Sequence, residues 1–131
     1  MHRAALLLLM AGACVETGPG GSPVPPPLPE GPWLGVETRL LADDLVGLVV
    51  SMAGEPSREA LSGYADCAVA QYATIRGFGF ARQIRTTYAE EGGIHRADAV
   101  YTVSKAFAEG LKTIDAEVKL ADCRDRGIPT I

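Results

Sequence analysis

The sequence predicts an α+β fold over residues 33–131, with one helix packed on a mainly antiparallel four-stranded sheet in the order β-α-β-β-β. Three observations carry that reading. An apolar, β-branched run at Leu45–Met52 is followed by a stripe of apolar residues at helical spacing. Two alternating segments then flank a glycine-containing turn, and a last alternating stretch follows from Lys112.

The run LVGLVVSM reads as a buried strand, with Val46, Leu48 and Val50 on one face. Residues 36–41 offer a partner strand turned at Ala42, Asp43 and Asp44. Gly54, Glu55 and Pro56 break the strand. Ser57 caps a helix whose first turn holds Glu59, near the positive end of the helix dipole. Leu61, Tyr64, Ala65, Ala68, Tyr72 and Ile75 form its apolar stripe, and Gly77 is the stop signal. Cys67 lies on the flank of that stripe.

Residues 78–88 and 94–104 form an antiparallel hairpin across Ala89, Glu90, Glu91, Gly92 and Gly93. One register pairs Phe80 with Val103, Arg82 with Tyr101, Ile84 with Ala99 and Thr86 with Ala97 on an apolar face. Arg85 pairs with Asp98, and Gln83 with Val100, on the polar face. Centring the turn on Gly92 and Gly93 shifts the partners by two and keeps the faces. Residues 112–123 alternate Ile114, Ala116, Val118 and Leu120 against Thr113, Asp115, Glu117 and Lys119, which reads as a strand with one wet face. The strand after the helix is expected to run parallel to the strand before it.

Of the 131 residues, 47% are hydrophobic and 21% charged, enough for one domain and no more. The net charge of −4 excludes a nucleic-acid or anionic-membrane binder that relies on bulk charge. No apolar run approaches the ~20 residues of a bilayer-spanning helix.

The amino terminus has its own organisation. His2 and Arg3 precede an apolar stretch over residues 4–10, and Ala11, Gly12 and Ala13 supply the small residues of a cleavage site. The stretch LMAGAC resembles the lipobox of bacterial lipoproteins, departing from it at Ala11, where a larger aliphatic residue is usual. The same alanines suit the general signal peptidase, which would cut the same bond. The resemblance implies a signal peptide over residues 1–13, a lipidated (palmitate-bearing) Cys14 and a membrane anchor. Val15 rather than aspartate follows the cysteine, which by resemblance to sorted lipoproteins implies the periplasmic face of the outer membrane. Residues 15–32 hold seven of the nine prolines and four of the fifteen glycines, so residues 14–32 read as a lipidated cysteine and a tether. With Cys14 lipidated, Cys67 and Cys123 are an even pair in an exported chain and read as a disulfide, with free thiols or metal ligation as the alternatives.

No motif carries a catalytic mechanism. The Gly77–Phe78–Gly79 triplet precedes a strand rather than a helix, the wrong context for a dinucleotide loop. Ser57 and Ser62 lack nucleophile-elbow surroundings, and Glu90 and Glu91 read as solubilising turn charge. His95, at the hairpin mouth, reads as an exposed residue stacked on Tyr88. Arg82 breaks the apolar pattern of its strand. Its stem packs and its head reaches water or the ring of Tyr101, unless it marks an anion site. The expected function is therefore that of a non-enzymatic envelope module with no cofactor and no metal. It would bind an envelope protein, peptidoglycan or a small ligand through the uncovered face of the sheet, not nucleic acid, with Arg82, Arg85 and Tyr101 as candidate binding residues and Gln83, Val100 and Lys119 on the same outer face as Arg85. The alternative is a small exported enzyme with a site around Arg82 or His95.

Overall fold

The computed structural model describes residues 31–107, 109–110 and 112–131, so Cys14 and the tether up to residue 30 lie outside the described residues. The fold is α+β, as the sequence predicts, but with five strands and two helices among these residues. The elements run β1 (Trp33–Ala42), β2 (Leu45–Met52), α1 (Arg58–Arg76), β3 (Phe80–Glu91), β4 (Ile94–Ser104), β5 (Thr113–Asp115) and α2 (Ala116–Arg126). The sheet order is β1-β2-β4-β3-β5, with antiparallel neighbours throughout. Because β4 is antiparallel to both β2 and β3, those two strands share a direction across it, as expected.

The expected partner strand of residues 36–41 is the edge strand β1, turned at Asp43 and Asp44. Helix α1 begins as its sequence dictates. Ser57 accepts a hydrogen bond from the Ala60 N–H at 3.0 Å, and Gly77 ends the helix in the left-handed region at φ 82°. Ala65, Ala68 and Ala73 are fully buried and bring α1 close to the sheet. Leu61, Tyr64 and Tyr72 are buried with them, whereas Ile75, past the end of the packed face, is exposed. The core joins this face to Val46, Leu48 and Val50 of β2 and to Ala97, Ala99, Tyr101 and Val103 of β4. Those residues alternate along their strands, so a single face of the sheet meets the helix.

Two expectations are corrected. The stretch expected to be a single strand over residues 112–123 is a short strand followed by a helix. Asp115 caps it by accepting from the Val118 N–H at 3.1 Å, and Gly127 closes it at φ 70°. The buried positions are Ala116, Leu120 and Cys123, at helical spacing, while Val118 is exposed. Glu117, Lys119 and Leu120 are good helix formers, and local propensity plus two caps outweigh the apparent alternation.

The second correction concerns β3. Near the turn its register centres on Gly92 and Gly93, both at positive φ (61° and 82°), as a two-residue hairpin requires. A register shift then falls between Gln83 and Arg85, leaving Ile84 as the extra residue. Because side chains alternate with period two, the bulge moves everything before it to the other face. Ala81 and Gln83 therefore lie with Val103 and Tyr101 on the helix side. Phe80 and Arg82 lie on the opposite face, the reverse of the expected arrangement.

Candidate functional site

The helix side of the sheet holds a cleft of about 520 Å³, walled by α1, α2, β3 and β5. Its charged and polar lining includes Asp66 of α1, Gln83 of β3, Lys112, and Lys119 of α2, with Ile114 and Val118 as apolar wall. At its edge the Tyr101 hydroxyl donates to Asp66 Oδ1 at 2.6 Å. Tyr101 is fully buried on β4, so this bond joins the sheet to α1 through the side chains of a central strand and the covering helix.

Burial raises the pKa of Asp66, opposed by the Tyr101 hydrogen bond and by the charges of Lys119 and Lys112. Burial also holds the Tyr101 phenol far above its ordinary range, reinforced by the Asp66 charge and opposed by a hydrogen bond with Gln83. The phenol is a permanent donor in the folded protein. Of the other cleft carboxylates, Asp115 is committed to the α2 cap. Asp122 lies 3.3 Å from Arg126 and 3.9 Å from Lys119.

Behind this cleft the expected disulfide is present. Cys67 and Cys123 are bonded, with Cα atoms 5.9 Å apart and a sequence separation of 56. The bond ties α1 to α2 one residue from Asp66 and one from Asp122, bracing the two helices that wall the cleft.

The opposite face of the sheet is covered by neither helix. Its strand positions carry Arg39, Arg82, Arg85 and Arg96 against Glu37, Asp98 and, at the hairpin end, Glu91, a slight basic excess on an acidic chain. Arg39 Nε lies 2.7 Å from Glu37 Oε2. Val49 and Val100, central on this face, are nonetheless only 7% exposed. Arg39 and Arg96 flank Val49, so long guanidinium-bearing stems shield apolar strand positions while their heads meet solvent. At one end the connection after β4 leans on this face. Phe107 meets Phe80 edge-on at 5.6 Å, and Gly110 sits so close to the Arg82 guanidinium that a Cβ there would lie 3.4 Å from its central carbon.

The residues singled out from sequence are thus divided between two surfaces. Arg82 and Arg85 share the open face, and Val100 lies between Arg85 and Gly47 there. Tyr101 does not join them; it points to the helix side, and Arg82 faces Thr102 instead. Gln83 and Lys119, expected on the outer face, line the cleft. Arg85 faces Val100 and Asp98 faces Thr87, so the expected Arg85–Asp98 cross-strand pair is not formed. His95 lies on the helix side at the hairpin end, in a shallow depression with Pro56, Leu61 and Tyr88. The guanidinium carbon of Arg58 lies 4.8 Å from the centroid of the Tyr88 ring. Asp66 is a cleft residue that no sequence motif marks. Its one signal is a charged residue between Tyr64 and Ala68, beside the packed stripe of α1.

Residues 33–127 match the family described as the YNQ4 C-terminal domain. Among curated proteins, the chain is 33% identical over 92 residues to the "Uncharacterized 26.9 kDa protein in nqo8 5'region" of Paracoccus denitrificans. The match covers 70% of this chain and 36% of that relative, so the chain spans about a third of the relative's length. No solved structure matches.

Proposed function

The chain belongs to the YNQ4 C-terminal domain family, and on that premise we propose that it is a lipid-anchored, non-enzymatic binding module of a bacterial cell envelope that docks an acidic protein surface on the open face of its sheet. The observation that supports this reading most directly is the charge of that face. Four arginines stand against three carboxylates, Glu37, Glu91 and Asp98, on a chain whose net charge is −4. A face with such an excess steers and orients an acidic partner, and arginine is enriched among the residues that anchor interfaces.

Tethering follows from the amino-terminal sequence. Cys14, within LMAGAC, is the lipidation site, and two or more acyl chains give the stable anchoring that one chain does not. The proline-rich stretch after it, eighteen residues at ~3.1 Å each, lets the domain reach up to ~55 Å from the membrane. The periplasmic face of the outer membrane is the proposed location.

The test is chemical cross-linking in intact cells followed by affinity capture, with Arg85→Glu beside wild type. Arg85 is exposed and makes no ion pair among the described residues, so the variant is expected to fold and to lose its acidic partner. An unchanged partner set in a folded Arg85→Glu protein overturns the open-face reading, and capture of glycan strands instead would identify peptidoglycan as the ligand. Mass spectrometry of the same material checks the anchor. An unmodified Cys14 in soluble mature protein ends the lipoprotein reading.

A further inference from the structure

The second surface, the cleft between α1 and α2, has chemistry that the open face lacks. From it we infer that the cleft binds a small aliphatic zwitterion, an ammonium group on Asp66 and a carboxylate between Lys112 and Lys119. The volume of about 520 Å³ falls within the range of small-molecule sites.

The cleft carries charges of both signs, Asp66, Asp115 and Asp122 against Lys112 and Lys119, with Asp115 engaged in the α2 cap and Asp122 beside Arg126. Lys119 and Lys112 line the same cleft as Asp66, and among the described residues neither forms an ion pair with it. Asp66 gives one oxygen to Tyr101. Its burial goes uncompensated by any cation in contact, which is why its proton is held more tightly than an ordinary carboxylate's. A ligand ammonium would supply the missing counter-charge. Lys112 is exposed, and Lys119 reaches Asp122 only at 3.9 Å, so both are available to a carboxylate at small cost. Ile114 and Val118 form the apolar wall, and Val118 is a large hydrophobic left exposed on α2. An aliphatic side chain would cover it. Gln83 adds a neutral hydrogen-bonding group to the same lining as Asp66.

One chemistry here has two sources, a free amino acid or the end of a short peptide. The test is a titration of the purified full-length protein followed by amide chemical shifts and calorimetry. The probes are L-leucine, the dipeptide L-leucyl-L-alanine, the amine-only analogue 3-methylbutylamine and the carboxylate-only analogue 4-methylpentanoate. Saturable shifts in α1, β5 and α2 with either zwitterion, at least about tenfold tighter than with either single-charge analogue, are the expected result. The tighter of leucine and the dipeptide identifies the source. Asp66→Asn keeps an acceptor for Tyr101, and Lys112→Met removes no structural contact, so both are expected to fold. Each should weaken zwitterion binding by about tenfold or more. Absence of saturable shifts with both zwitterions overturns the inference, as does equal binding of leucine and 4-methylpentanoate. Undiminished binding by a folded Asp66→Asn variant also overturns it.

Discussion

The Tyr101 hydroxyl donates to the Asp66 carboxylate at 2.6 Å, joining the middle of the sheet to the helix that covers it. Its acceptor is a carboxylate already partly desolvated. Truncation to Tyr101→Phe therefore removes a hydrogen bond to a charged group and leaves Asp66 less well solvated. A loss of about 1.5–3 kcal/mol in urea denaturation is expected. Asp66→Asn exchanges a charged for a neutral acceptor and should cost less. In a double-mutant cycle the two changes should be strongly non-additive. Additive effects would show that the bond contributes nothing of its own.

Asp66 also sets a pH dependence whose sign is fixed by its environment. Burial, opposed by Tyr101 and the two lysines, raises its pKa above the ordinary 3.8. The folded protein therefore binds this proton more tightly than the unfolded chain does. The contribution is most favourable at pH below the ordinary value. It is lost as pH rises through the raised folded value, and is constant above that. Subtracting the Asp66→Asn stability profile from that of wild type should give a difference that falls with rising pH across that window. Glu37, whose pKa Arg39 lowers, slopes the other way and cancels in the subtraction. A difference that rises with pH would place Asp66 in a solvated, ion-paired setting.

At the alkaline end Tyr101 and Tyr64 act together. Burial raises both above the ordinary phenol value of 10.0. Unfolded, they ionise near that value, so their contribution to stability is lost as pH rises beyond it. Tyrosinate absorbance from these two rings should appear only with unfolding. Complete native-state ionisation of all tyrosines would contradict their burial.

How much of this was legible in the sequence differs by element, for physical reasons. Helix α1 announced itself through Ser57, the spacing of Leu61, Tyr64, Ala65 and Ala68, and Gly77, because caps and packed face agree. Strand β4 was equally plain, since Ala97, Ala99, Tyr101 and Val103 all face the core. Helix α2 was hidden. Ile114, Ala116, Val118 and Leu120 alternate as a strand would, while Ala116, Leu120 and Cys123 also fit a helix, and the decisive term is the Asp115 cap. The face of Arg82 depended on one extra residue at Ile84, and a bulge without glycine leaves no compositional mark. The cleft was invisible for the same two reasons. It needs α2 as a helix to bring Lys119 forward and the bulge to turn Gln83 inward.

The α2 cap can be tested alone. Asp115 accepts from the Val118 N–H at 3.1 Å and also begins the turn out of β5. Replacing it with alanine should cost about 1 kcal/mol, with asparagine largely restoring the loss. Amide exchange should accelerate first at Glu117 and Val118. Uniform acceleration across the domain would mean that α2 does not open separately.

The disulfide provides the largest predicted effect. Cys67 and Cys123 lie 56 residues apart in sequence, with Cα atoms 5.9 Å apart in the fold. Closing a loop of that length removes unfolded-state entropy worth about 4 kcal/mol at room temperature in the chain-entropy model. Both sulfurs are buried, so the paired Cys67→Ala and Cys123→Ala replacement also leaves a small void between the helices. The urea midpoint should fall accordingly. The loss should not spread evenly, because the bond joins α1 to α2 whereas the β2–β4 and β3–β4 ladders hold without it. Amides of α2 should lose protection well before those of β4, and Lys119 should lose its fixed relation to Asp66. An unchanged midpoint in the double alanine variant would show that the helices are held by packing alone. Equal loss of protection in α2 and β4 would show that the bond stabilises the domain only as a whole.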